Sequence, residues 1–195
     1  MAHPAAASAE IMRVLAHELR QPLSTIESIA YYLTLILPED EKVREQLDRI
    51  QQLVEQSNWM LTSSQLLSDT IPMSREPVKL DALLENISLG DFDAHIDPAL
   101  PAMHGDPALL RTLLENLLTL FRQFGGRCVF RVLRAERGVS MELAARVPGH
   151  RGESSLGAGS SLSLQGARRV VEALGGSLDF AIDPADGIRL RVMLT

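Results

Sequence analysis

Two long runs of apolar residues at helical spacing, parted by one short break, constrain this chain more than any other feature. From about Ser8 the first run places Ile11, Leu15, Leu19, Pro22/Leu23, Ile26, Ile29/Ala30, Leu33 and Leu37 in steps of three and four. Such spacing, sustained over several turns, predicts an amphipathic helix with a packed seam in which Leu15 and Leu19 point inward. The second run has Val43, Leu47, Ile50, Leu53/Val54, Met60/Leu61 and Leu66/Leu67, and ends near Asp69. Pro38-Glu39-Asp40 stops one helix and opens the next. Helices joined by so short a turn lie antiparallel. A lone hairpin buries one side of each helix, so its apolar stripes need another partner. The economical solution is a second copy and a four-helix bundle; packing against the rest of the same chain is the other.

Beyond the hairpin the pattern changes. Thr70 to Pro77 carries two prolines and reads as a linker. VKLDALLENI reads as a short strand or turn leading into a helix, and Asp91 to Gly105 as a loop rich in Asp and Pro. Ala108 to Phe124 is a strongly apolar helix. CVFRVLRAE and VSMELAARV alternate as strands around a turn at Arg137-Gly138. A Gly/Ser stretch precedes the helix LSLQGARRVVEAL, which Gly175-Gly176 end. SLDFAI and IRLRVML are two last strands about a turn at Asp186-Gly187. The fold class is therefore α+β: residues 1–70 form the hairpin, 71–78 the linker, and 79–195 a small domain with helices on one face of a mixed sheet.

Composition narrows the function. A net charge of −6 argues against nucleic acid as a partner. The single Cys128 cannot close an intrachain disulfide, and it fits a reducing compartment as a small buried hydrophobe. MAHPAAASAE lacks the basic start and apolar run of a leader, and no 18 consecutive residues are apolar. A cytoplasmic protein without a membrane partner is expected. The histidines at 95, 104 and 150 lack further ligands at metal-binding spacing, so no metal site is assigned.

One helical turn of the first run departs from ordinary helix chemistry. HELRQPL, from His17 to Leu23, places Pro22 inside the helix, where it removes a donor and costs about 3 kcal/mol. His17 lies between Leu15 and Leu19 and so faces out, sharing its side with Gln21 and Ser24, with Arg13 and Arg20 nearby. A neutral imidazole can attack phosphorus through one nitrogen. Adjacent Glu18 can orient the other nitrogen, and Gln21 can hold a water. Pro22 opens the backbone beside them. A solvated surface histidine is the plainer alternative.

His-Glu-Leu-Arg-Gln-Pro-Leu resembles the phosphoacceptor box of bacterial two-component sensor histidine kinases. The second half resembles that family's ATP-binding domain in EPVKLDALLENI, LPAMHGDPALLRTLLENLL, GAGSSLSLQGARRVVEALGGSLDF and GIRLRVMLT. The resemblance implies a dimeric bundle with His17 as phosphoacceptor. Glu18, Gln21 and Pro22 would complete the catalytic turn, and Arg13, Arg20, Leu23 and Ser24 would meet a response-regulator receiver domain.

The departures from the family bear on the cofactor. Leu120 stands where the family has a Mg²⁺-binding asparagine, Gln123 where it has a basic residue, and Ala145 or Arg146 where it has the adenine-binding aspartate. The lid is cut to about a dozen residues, and Ser161 and Ser163 replace glycines of the phosphate box. Asn116, Gly157 and Gly159 remain as vestiges of that site. A histidine phosphotransferase without ATP or a metal of its own is therefore expected, with Mg²⁺ supplied by the partner receiver. The alternatives are an ATP-dependent sensor kinase with a divergent nucleotide site, and a non-catalytic regulator docking on a kinase or receiver. A phosphatase role through Gln21 also stays open.

Overall fold

A computed structural model describes residues 4–38, 40–68, 71, 73–90, 92–124, 127–146, 157–183 and 187–195. The chain divides into two compact units, Met1–Thr70 and Ile71–Thr195. None of its helices is long and apolar enough, among the described residues, to cross a membrane.

The first unit is a helical hairpin of α1 (Pro4–Ile36) and α2 (Glu41–Ser68). Asp40 opens α2: its carboxylate accepts from the Lys42 N–H at 2.9 Å, satisfying a donor that the helix start leaves free. The seam between the helices differs from the one that size and periodicity suggest. Ala16, Ala30, Leu47 and Val54 are buried, with Leu23, Leu33 and Val43 half-buried beside them. Leu15 and Leu19, expected inside, are 49% and 48% exposed. Ala16 and Ala30 carry only a methyl each, which lets the helix backbones approach closely.

The second unit is built on a five-stranded sheet of order β2-β4-β5-β7-β6 and a two-stranded β1-β3 pair. The strands are β1 (Glu76–Val78), β2 (Phe92–Ile96), β3 (Met103–Gly105), β4 (Cys128–Arg134), β5 (Val139–Ala145), β6 (Ser177–Asp183) and β7 (Gly187–Leu194). Among the described strands of this sheet, β2 and β4 pair in parallel and the other neighbours are antiparallel. Helices α3 (Leu80–Leu84), α4 (Pro107–Phe124) and α5 (Ala158–Ala173) complete the unit. The segment read as a linker thus contributes β1, and the Asp- and Pro-rich stretch read as loop contributes β2 and β3. All three are short strands whose partners lie far along the chain, so local pattern alone does not place them.

Alternation on the sheet separates its faces. Phe130, Val132, Met141, Leu143, Leu190 and Val192 are fully buried on one face, under the apolar side of α4. Gly138 turns β4 into β5 at φ +89°, and a Cβ there would stand 1.9 Å from the Leu194 carbonyl oxygen. At the end of α5, Gly175 takes φ +80°. Its N–H bonds the Glu172 carbonyl and that of Gly176 bonds Val171, the paired bonds that close many helices. The turn expected at Asp186-Gly187 begins outside the described residues; Gly187 itself opens β7 at φ +94°.

Candidate functional site

His17 lies mid-way along α1 and is exposed. It stands two residues from both Leu15 and Leu19, about 160° round the helix from each. The outward apolar line and the histidine therefore occupy opposite sides of α1. The seam of Ala16 and Ala30 turns a third side toward α2. Gln21 and Ser24 are exposed on the side of His17, one and two turns on.

Pro22 is exposed and sits within a continuous helix. Lacking an N–H, it leaves the carbonyl of Glu18 without its helical donor, next to the histidine. The helix is closed again at once, since the Thr25 hydroxyl donates to the Gln21 carbonyl at 3.1 Å. Glu18 is exposed beside His17. Arg13 lies one turn before and pairs with Glu10.

Arg20, expected to face a docking partner, is half-buried and reaches across the hairpin. Its guanidinium donates to Thr62 Oγ1 at 3.2 Å and to Gln65 Oε1 at 2.7 Å. One turn after the histidine, this fork fixes α1 against α2. The signal for it was present in the sequence only as a polar pair on α2, with nothing to match it to Arg20. Leu23 is half-buried at the seam, while Ile26 is 44% exposed on the outward line.

In the second unit, several of the positions matched to nucleotide ligands in the resembled family are buried, and others, such as Gln123 and Gly157, are exposed. Leu120 is 2% exposed on α4 and offers no oxygen to a metal. Ala145 is 1% exposed at the end of β5, paired with Cys128 and Ile188, and offers no carboxylate. Gln123 accepts from the Ser160 hydroxyl at 3.4 Å. Asn116 is 2% exposed and donates through Nδ2 to the Ser163 carbonyl at 3.1 Å; its Oδ1 has no partner among the described residues. Helix α5 starts at Ala158, so Gly159, Ser161 and Ser163 lie within it, and Gly157 is its N-cap. The Ser161 N–H bonds the Gly157 carbonyl at 3.0 Å, which commits an amide of the glycine box to the helix. A donor set of leucine, alanine and helix-bound amides does not match the chemistry of Mg²⁺ and adenine. The shortened lid, and Arg146 as its first flank, adjoin residues 147–156, which lie outside the described residues.

Asp106 caps α4. Its Oδ1 accepts from the N–H groups of Ala108 at 2.9 Å and Leu109 at 3.1 Å, and its Oδ2 from Ser74 at 2.9 Å. The Ser74 bond foremost, then those of Leu109 and Ala108, hold its carboxyl below the usual range, against a raising effect of partial burial. His104 beside it is exposed on β3, so this corner is turn and cap chemistry.

No family model matches the chain. It is 28% identical over 200 residues to the sensor histidine kinase ZraS of Klebsiella oxytoca, covering 89% of this chain and 43% of that protein. It is 26% identical over 212 residues to the sensory histidine kinase/phosphatase NtrB of the same organism, covering 91% and 60%. The chain thus spans less than two thirds of the length of either curated relative. Among solved structures, full-length ShkA in complex with AMPPNP superposes with a TM-score of 0.56 at 20% identity, over 94% of this chain and 44% of ShkA. The Acinetobacter baumannii histidine kinase AdeS superposes at 0.57 and 15% identity, over 92% and 97%. These likenesses to solved structures are likenesses of fold, and they run through both units. With the sequence relatives they point one way: the chain is similar to two-component sensor histidine kinases in sequence and in fold, a helical hairpin followed by an ATPase-like domain.

Proposed function

We propose that this protein is a dimeric histidine phosphotransferase that exchanges a phosphoryl group between His17 and response-regulator aspartates without binding ATP. One observation carries the reading. His17, Glu18, Gln21 and Pro22 are all exposed, while Leu120 lies buried at the position matched to the family's metal ligand and neither Ala145 nor Arg146 offers the carboxylate of its adenine ligand.

The transfer needs little from this chain beyond placement. An imidazole nitrogen of His17 attacks the phosphorus of an aspartyl phosphate, an N–P bond forms, the acyl O–P bond breaks, and the aspartate leaves as carboxylate. Such transfers are governed by positioning and charge stabilisation, which the receiver's own acidic pocket and Mg²⁺ would supply. Glu18 orients the second nitrogen and takes its proton. Arg20 keeps the turn fixed against α2 and acts as a positioning residue. Arg13 and Ser24 border the histidine where a receiver would dock, with Leu23 at the edge toward the seam.

Dimerisation follows from the exposed apolar line. Ile11, Leu15, Leu19, Ile26, Ile29 and Ile36 are each between 44% and 60% exposed on the hairpin. Burying one such side chain stabilises by about 1.5–3 kcal/mol. A second hairpin laid on this line gives a four-helix bundle that keeps both histidines outward.

A second reading, an ATP-dependent kinase with a divergent site, is favoured by the breadth of the likeness to ZraS and NtrB, and it includes the phosphatase activity in NtrB's name. The decisive experiment offers the chain phosphorylated receiver domains and, separately, labelled Mg-ATP. Label on His17 from receivers alone, lost in His17→Ala, is the expected result. Label from ATP alone overturns the proposal in favour of the kinase. Full activity of His17→Ala in cells would point to a non-catalytic regulator.

A further inference from the structure

We propose that the open face of the five-stranded sheet is a docking trough for an extended, acidic segment of a partner protein. Among the described residues, helices cover one face of this sheet, and on the other the strand register sets out ordered rows. One row runs His95, Arg131, Glu142, Arg191, Asp179 across the five strands. The row beside it runs Asp93, Val129, Ala144, Arg189, Ala181. Large charged groups thus flank a floor of small apolar ones.

The result is a depression of about 340 Å³ floored by Val129 and Ala144 and walled by Arg131, Glu142, Arg189 and Arg191. A second depression, of about 430 Å³, shares Val129, Ala144 and Arg189 with the first and extends it to Arg127 and Arg146. Together they make one trough along the strand direction. Two of its arginines are satisfied: Arg191 holds Glu142 through Nη2 at 2.6 Å, and Arg127 reaches Asp93 at 3.3 Å. Arg131 and Arg189 make no ion pair with any described residue. In a chain of net charge −6, two uncommitted guanidinium forks beside a shallow apolar floor are a local reversal of sign.

Charge and shape select the occupant. A guanidinium presents a planar fork of donors that matches a carboxylate. The trough is open along its length, whereas a small ligand is held by a pocket that encloses most of it. Residues on one face of a strand repeat every 6–7 Å, and so do alternate side chains of an extended peptide. A segment lying along β5 with carboxylates at alternate positions therefore meets Arg131 on one flank and Arg189 on the other, one row apart. A uniformly charged polyanion is opposed by Glu142, Asp93 and the charge of the whole chain. The proposal is independent of the phosphotransfer reading, since none of these residues belongs to the histidine turn.

The test uses the full chain and a short fluorescent peptide in which glutamate alternates with serine, at low ionic strength. Binding, followed by anisotropy, should weaken about tenfold or more in an Arg131→Gln/Arg189→Gln variant. It should change less than about twofold in Arg75→Gln/Arg169→Gln, which removes the same charge from exposed positions elsewhere. Both variants alter exposed side chains, and equal unfolding midpoints would establish that both fold. Amide shifts on adding peptide should fall on β4, β5 and β7. Equal weakening in the two variants, shifts located elsewhere, a single-stranded oligonucleotide binding more tightly than the peptide, or no detectable binding would each overturn the proposal.

Discussion

Three positions show how single residues set local free energy here. Ser63 is fully buried in the hairpin, and its hydroxyl has no partner among the described residues. Leaving a buried hydroxyl unpaired costs about 1–3 kcal/mol, so Ser63→Ala is expected to raise the hairpin's stability by about 1 kcal/mol. Urea unfolding followed by helix signal measures it, and a loss of stability would reveal a partner for that hydroxyl. Gly138 presents the opposite case. With φ at +89° and no room for a Cβ beside the Leu194 carbonyl, Gly138→Ala should cost about 2 kcal/mol or more in thermal unfolding. Asp106 couples stability to pH. Its carboxyl is held below the usual range in the folded chain, so its contribution is complete above the unfolded value near 3.8. That contribution is lost as pH falls through the lower folded value. Stability of Ile71–Thr195 should therefore fall as pH drops below about 4, and Asp106→Asn should flatten this dependence.

Among the elements, α1 has three distinct sides, and each has its own task. The side of Ala16 and Ala30 meets α2, the side of Leu15 and Leu19 is open and apolar, and the side of His17 is open and polar. Replacing Leu19 and Ile26 by Glu puts charge on the open apolar line without touching the seam. Sedimentation should then report a monomer with unchanged helix content, while the wild-type chain sediments as a dimer. A wild-type monomer would refute the four-helix bundle. The periodicity of α1 was legible in the sequence, but the assignment of its sides was not. Apolar stripes one residue apart on a helix of 3.6 residues per turn overlap, and hydrophobicity alone ranks leucine above alanine for the interior. The close approach of two helix backbones reversed that order. The cross-hairpin bonds of Arg20 were hidden for the same reason, because the register of α1 on α2 is not written in either helix.

At the scale of the whole molecule, a helical hairpin bearing the exposed His17 is joined to an ATPase-like domain in which Leu120 and Ala145 are buried. Titrating the chain with Mg-ATP in a calorimeter should give no heat of binding at concentrations up to about 1 mM. Tighter binding would restore the kinase reading. The second unit owes its core to strands and helices that alternate legibly, and β4, β5, β6 and β7 were all readable from their period of two. Strands β2 and β3 were not, and β1 was legible only as a short strand or turn at Val78, all three being three to five residues long and stabilised by partners distant in sequence. By itself the sequence determined the α+β class, the two-part order and the exposed histidine, because each follows from local pattern or residue identity. Only the tertiary structure decided which stripe of α1 faces α2, that Arg20 is committed across the hairpin, and that arginines gather on one open sheet face. Those are matters of register between segments far apart in the chain, and register is fixed by packing, which no local pattern contains.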